Sequence, residues 1–275
     1  MEYTNPKIPE GINTSKEHPL KEFLILTLGV FGVIALAVFI LSMLAEELAP
    51  YVPFSVEQQL IPDNFAVTGV DSKASTYLQG LSDQLAQHLD LPEDMQFIIH
   101  YSEEPVENAF ATIGGHIYIY QGLIDLLPNE NALSMVIAHE MAHVYHRHPI
   151  IAMGRGVVIG LLLTAISGLS SDYFVGQIVT DAGVITLLTF TRDQEQEADN
   201  TALELLAAHY GHVGGADELF KAFHKLEDDD PMSTPQFLST HPLSESRIDS
   251  IHTRAKNNGW DMHGETTALP EFFRQ

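Results

Sequence analysis

His139-Glu-Met-Ala-His143 sets two imidazoles four residues apart. On a helix both project from one face and can hold one metal ion. Glu140 lies one residue along, close enough to hydrogen-bond a metal-bound water but turned too far to be an easy third ligand. Two ligands, a general base and an open coordination position are what zinc-assisted hydrolysis needs. The plain alternative is an amphipathic helix with surface histidines. The flanks favour the metal: Leu133, Val136 and Ile137 bury one helical face, Asn129 or Asn131 caps the start, and Pro149 stops the end. His139 and His143 then fall in the buried half, where unpartnered polar groups are costly.

A third ligand must come from elsewhere. A Gly-x-x-His continuation is excluded, because the positions beyond the motif hold His146 and Pro149. The segment Thr191-Arg-Asp-Gln-Glu-Gln-Glu-Ala-Asp199 opens a helical pattern through Ala202, Leu203, Leu205 and Leu206. Glu195 and Asp199 share a face there, while Glu197 points about 160° away at about 100° per residue. Glu195 is the expected third ligand, and Asp199 the acceptor that orients a ligand histidine by its other ring nitrogen. The competing explanation is a solvated acidic helix start.

With these residues in hand, the chain resembles the HtpX and CAAX prenyl protease family of gluzincin metallopeptidases. Three further stretches carry the resemblance: Asn108-Ala-Phe-Ala through Leu123; Arg192 with Glu195, Ala198 and Asp199; and Ser239-Thr-His-Pro-Leu-Ser-Glu-Ser-Arg-Ile248. It covers roughly residues 70 to 255. The chain departs from the pattern at Ile113, where the family usually has proline, and His116 adds an extra imidazole near the motif.

The resemblance implies an α+β, mainly helical, zincin-like domain with a small sheet and one Zn2+ per chain. It implies a zinc endopeptidase acting on unfolded or damaged proteins in envelope quality control, with Glu140 as general base. His241 and Arg247 are the implied donors to the tetrahedral oxyanion. His241 could instead occupy the open zinc position and hold the enzyme off, or simply anchor a loop. Arg247 could equally be an ion-pair partner. Phe110 to Tyr120 has strand character broken at Gly114-Gly115, which suits an edge strand receiving extended substrate or a plain core hairpin. His146 and His148 fit helix-end residues better than ligands. The rival functions are a CAAX-type processing protease and a non-catalytic, chaperone-like holdase.

These side chains must be positioned by a chain that also meets a membrane. Residues 23–45 carry no charge and, at 1.5 Å per residue, make about 34 Å of helix, enough for a bilayer core of about 30 Å. Lys7, Lys16 and Lys21 precede this span and none follows until Lys73. That bias predicts a single-pass protein of the cell inner membrane, with a cytoplasmic N-terminus and a periplasmic catalytic domain. Two more apolar stretches, Gly156 to Ser171 and Tyr173 to Thr191, are each short for a span. Because His139 and Glu195 must meet, they cross the membrane twice or not at all. They read as buried helices over the site with no crossing, or as a shallow membrane-facing surface. Thirteen Lys+Arg against 37 Asp+Glu give a formal charge of −24, which argues against nucleic acid. With no cysteine, disulfide and thiolate chemistry are excluded. The expected organisation is a tail at 1–22, an anchor at 23–45, a linker at 46–70, the metallopeptidase domain at 71–256 and a second tail at 257–275.

Overall fold

Pro19 opens the first helix, where its missing N–H costs nothing. The uncharged run then carries α1 (Pro19–Leu48) with no buried residue along it. The computed structural model describes residues 18–60, 72–167, 190–229, 235–241 and 245–274. Among these, α1 is long and apolar enough to cross a membrane. The stretch Tyr173 to Thr191 lies outside the described residues save for its last two, as do residues 61–70 of the expected linker and residue 71.

The first half of that linker is a docked element. A 3₁₀ turn at Ala49–Tyr51 leads into α2 (Phe54–Leu60), whose Phe54 enters the main core. Glu57 is buried with it. One oxygen accepts the Gly114 N–H at 2.9 Å and the other meets Arg147 Nη2 at 2.7 Å. A carboxylate this deep needs both partners.

Helix α3 (Lys73–Ala86) is capped by Ser72 and turns Leu78, Leu81 and Leu85 inward. A three-stranded sheet follows: β1 (Ile98–Ser102), β2 (Ala109–Ala111) and β3 (His116–Tyr120), in the order β1-β3-β2. β1 runs parallel to β3 and β2 antiparallel to it. The β2–β3 turn depends on glycine: Gly115 has φ +83°, and a Cβ there would lie 2.0 Å from the Gln96 carbonyl oxygen. Strand alternation sends Ile99, Ile117 and Ile119 into the core. The opposite face stacks His116, His100, Tyr118 and Phe110 in a column.

The short α4 (Gln121–Leu126) leads to α5 (Glu130–Tyr145), which is the heart of the core. Asn129, not Asn131, caps it by accepting the Ala132 N–H at 2.9 Å. The helix ends at Tyr145, before the expected stop at Pro149. Arg147 takes φ +65° and reverses the chain, so Pro149 falls in the first turn of α6 (His148–Ser167), a position proline favours. Helix α7 (Arg192–Tyr210) begins with a Thr191/Gln194 capping box, ends on left-handed Gly211, and packs along α5. Then come α8 (Glu218–Asp229), the single-turn α9 (Phe237–Thr240) and α10 (Glu245–Asn258).

Within the stretch expected as a tail, residues up to 274 are tied to the domain at several points, with Leu269 and Phe273 buried. Thr267 accepts the Glu130 N–H at 2.8 Å and donates its own to Asn131 at 2.8 Å. Phe272 and Phe273 close edge-on against Tyr77. The architecture is α+β and mainly helical, with α5 and α7 side by side at its centre.

Candidate active site

The α5–α7 seam brings together four groups able to hold a metal ion: His139, His143, Glu195 and His241, all buried. His139 Nε2 lies 3.0 Å from His143 Nε2 and 3.2 Å from His241 Nδ1. Glu195 reaches all three imidazoles, with an oxygen 3.6 Å from His139, 3.5 Å from His143 and 3.0 Å from His241. Donors bonded at about 2.0–2.1 Å to one tetrahedral ion stand roughly 3.3 Å apart, so the group fits such an ion.

Glu140 faces the same point. It is fully buried, and neither oxygen makes a well-formed hydrogen bond, though His241 Nε2 stands 3.4 Å away. Burial raises its pKa, partly countered by His241 and His139. A buried carboxylate without firm partners is costly unless a further group completes its surroundings. Burial also lowers the His143 pKa well below the ordinary value, which keeps its ring neutral and its lone pair available. Burial alone would raise Glu195, but His241, His143 and His139 outweigh it and hold the carboxylate far below the usual range.

Supporting contacts fix the rings. Asp199 Oδ1 lies 3.0 Å from His139 Nδ1, one helical turn beyond Glu195. His143 is held by His148, Nδ1 to Nδ1 at 2.9 Å, and by Phe190, stacked at 3.9 Å between centroids. His241 stacks on Phe237 at 4.4 Å. Phe237 donates its N–H to the carbonyl of Glu107, just before β2, at 3.0 Å, which fixes α9 and hence His241.

Arg247 stands apart from the expectation of an oxyanion donor. Its Nε and Nη2 each donate to Asp199 at 2.8 Å, and Nη1 lies 2.7 Å from Glu195. With its fork committed to two carboxylates, it is the ion-pair partner. His116 is also accounted for: it shares a 2.7 Å hydrogen bond with His100 on the outer sheet face. Glu197 is half-exposed yet reaches His146 and His148, both at 3.3 Å. Residues 242–244 of the His-Pro stretch and 230–234 of the loop before it lie outside the described residues.

Strand β2 borders this site. Thr112 donates to His116, and Asn108 accepts from Tyr120. In an antiparallel ladder these partners alternate, so Ala109 and Ala111 turn their backbone groups to the other edge, where the Ala111 backbone meets Glu140.

The roles of His148, Phe190 and Phe237 went unread in the sequence. Only the one-turn reversal after Tyr145 brings His148 back to His143, and a lone arginine at φ +65° leaves no pattern to find.

The chain matches the family described as Peptidase family M48 over residues 72–255. Among similar proteins is the mitochondrial metalloendopeptidase OMA1 of Schizosaccharomyces pombe, 29% identical over 66% of this chain and 55% of that protein. The beta-barrel assembly-enhancing protease of Escherichia coli is 30% identical over 67% of this chain and 39% of its own length. The metalloprotease LoiP of Escherichia coli is 30% identical over 55% of this chain and 60% of its own. The chain thus spans less than two thirds of each of these relatives. The matches do not single out the HtpX and CAAX branch.

Proposed function

Because the chain belongs to Peptidase family M48, we propose that it is a membrane-anchored zinc endopeptidase. The carrying observation is the buried set His139, His143, Glu195 and His241, with the Glu140 carboxylate beside it. Zinc bound there would polarise a peptide carbonyl and bring a water toward ionisation near neutral pH. Glu140 takes the proton of the attacking water and returns it to the leaving amine. Its raised pKa suits a group that must hold that proton briefly. Ala109 and Ala111 receive the substrate as an added strand through their outward backbone groups.

His139, His143 and Glu195 are the working ligands in this reading, and Asp199 orients His139. His241 supplies the fourth donor of a closed, resting set, since catalytic zinc sites keep one position open. Cleavage requires His241 to leave. The charge pattern around α1 supports a cytoplasmic N-terminus and an extracytoplasmic domain, which in a Gram-negative cell means an inner-membrane anchor and a periplasmic domain. Unfolded or damaged envelope proteins are the substrates we assign to that location. The related beta-barrel assembly-enhancing protease, by its name, enhances beta-barrel assembly.

Zinc content and casein cleavage of the full chain in detergent, beside Glu140→Gln, test the reading. One zinc per chain in both, with cleavage lost only in Glu140→Gln, is expected. A folded chain without zinc would overturn it, and client binding unchanged in Glu140→Gln with no cleavage by either would favour a holdase.

A further inference from the structure

Helix α6 shares its course with α1. Three levels of contact define the pairing. Ala49 clusters with Ile150 and Ile151; Glu46 forms an ion pair with Arg155; and a Cβ on Gly154 would stand 3.2 Å from the Ala45 Cβ. Rising numbers on one helix meet falling numbers on the other, so the two run antiparallel. The partly covered residues of α1 continue this line: Ile34, Ala37, Val38, Ser42 and Ala45 recur at three- and four-residue steps, with Thr27 two turns before Ile34, one stripe on an otherwise exposed helix.

From Gly154 to Ser167, α6 advances about 20 Å at 1.5 Å per residue. The same rise along α1 leads from Ala45 to the neighbourhood of Gly32, well inside the uncharged run 23–45. The matching part of α6 is itself uncharged from Gly156 onward, and its last charge, Arg155, sits level with Glu46 at the end of that run.

We propose that α6 is embedded in the bilayer, entering beside α1 from the side of the catalytic domain and reaching past the mid-depth of the acyl chains. The inference rests on α1 being the membrane anchor. Lipid that surrounds α1 between Gly32 and Ala45 must surround α6 as well, because the two helices lie side by side at those levels. Of the alternatives left open by the sequence, this chooses membrane contact over a helix held clear of the bilayer. Glu195 still meets His139, so the chain is back on the domain side by Phe190. The consequence reaches the active site. His148, whose ring holds His143, is the first residue of α6 and stands about 10 Å along the helix from Arg155, so the catalytic groups sit against the membrane surface.

The absence of cysteine makes the test direct. Single variants Leu36→Cys, Val157→Cys, Leu162→Cys and Asn257→Cys of the full chain are labelled with the fluorophore NBD. They are then placed in phosphatidylcholine vesicles with or without acyl-chain doxyl lipid, with zinc content confirming the fold. Residues 36, 157 and 162 are expected to be quenched several-fold more than 257. Quenching at 36 without quenching at 157 and 162, or at 157 alone, overturns the inference and leaves the anchor intact. No quenching at 36 overturns the anchor, and the inference with it.

Discussion

The Arg247 guanidinium grips the Asp199 carboxylate with two parallel hydrogen bonds of 2.8 Å, Nε to Oδ2 and Nη2 to Oδ1. Asp199 in turn faces the back of the His139 ring at 3.0 Å. The last helix of the domain thereby sets the orientation of a proposed ligand through one intermediary.

Asp199→Asn should therefore weaken zinc binding roughly 10- to 100-fold, the usual effect of losing a ligand's outer partner. Competition with a chelator reads this directly. Arg247→Ala should do more, because it strands two buried carboxylates; a loss of about 3–5 kcal/mol is expected in urea unfolding. Arg247→Lys keeps the charge but not the fork, and should fall between the two.

His241→Ala tests the closed set. If the imidazole is the resting fourth donor, its removal opens the site, and casein cleavage should rise while one zinc per chain is retained. A fall of 100-fold or more at full zinc occupancy would instead make His241 a transition-state donor.

The Glu57–Arg147 pair ties the membrane-proximal helix to the β2–β3 turn and to the reversal that follows α5. Both side chains are nearly enclosed, so removing either partner is expensive. Glu57→Ala should destabilise the domain by about 3 kcal/mol. At about 2–4 °C per kcal/mol for a domain of this size, the melting temperature should drop roughly 6–12 °C. An unchanged melting temperature would mean that α2 is not docked in solution.

Acidification should loosen the sheet. Burial, with a contribution from His116, lowers His100 to about 4 from an ordinary 6.5, and burial lowers His116 as well. Below pH 6.5 the unfolded chain takes up protons that the folded chain refuses, so stability falls as the pH drops from 6.5 toward 4. Urea midpoints at pH 7.5 and 5 should diverge less in a His100→Gln, His116→Gln double variant than in the parent. Equal divergence would assign the effect to other histidines.

What could be read in the sequence follows from how short-range the geometry is. His139 and His143, or Glu195 and Asp199, share a face because a helix dictates it, so spacing alone sufficed to group them. That Glu195 meets the two histidines followed from the need for a third ligand and the shared face of Glu195 and Asp199, whereas His241 entered only through the resemblance. Contacts made by reversals stayed hidden: His148 on His143, Glu57 on Arg147, Thr267 on Asn131. Each depends on a backbone turn or a distant segment whose local composition looks like an ordinary loop. Arg247 stayed open between oxyanion donor and ion-pair partner for a related reason. Its partners, not its residue type, decide whether its donors are free.

The donor set is also widely dispersed, with His139 and His241 separated by 102 positions. A nascent chain that has emerged only as far as residue 190 possesses the hydrolytic motif but cannot assemble its centre. Under the proposed function the three working donors are complete once Glu195 has been made, and the closing donor His241 follows 46 positions later. The order of synthesis thus places the stop after the blade, so the chain that can rest is the one whose His241 segment has been made and packed.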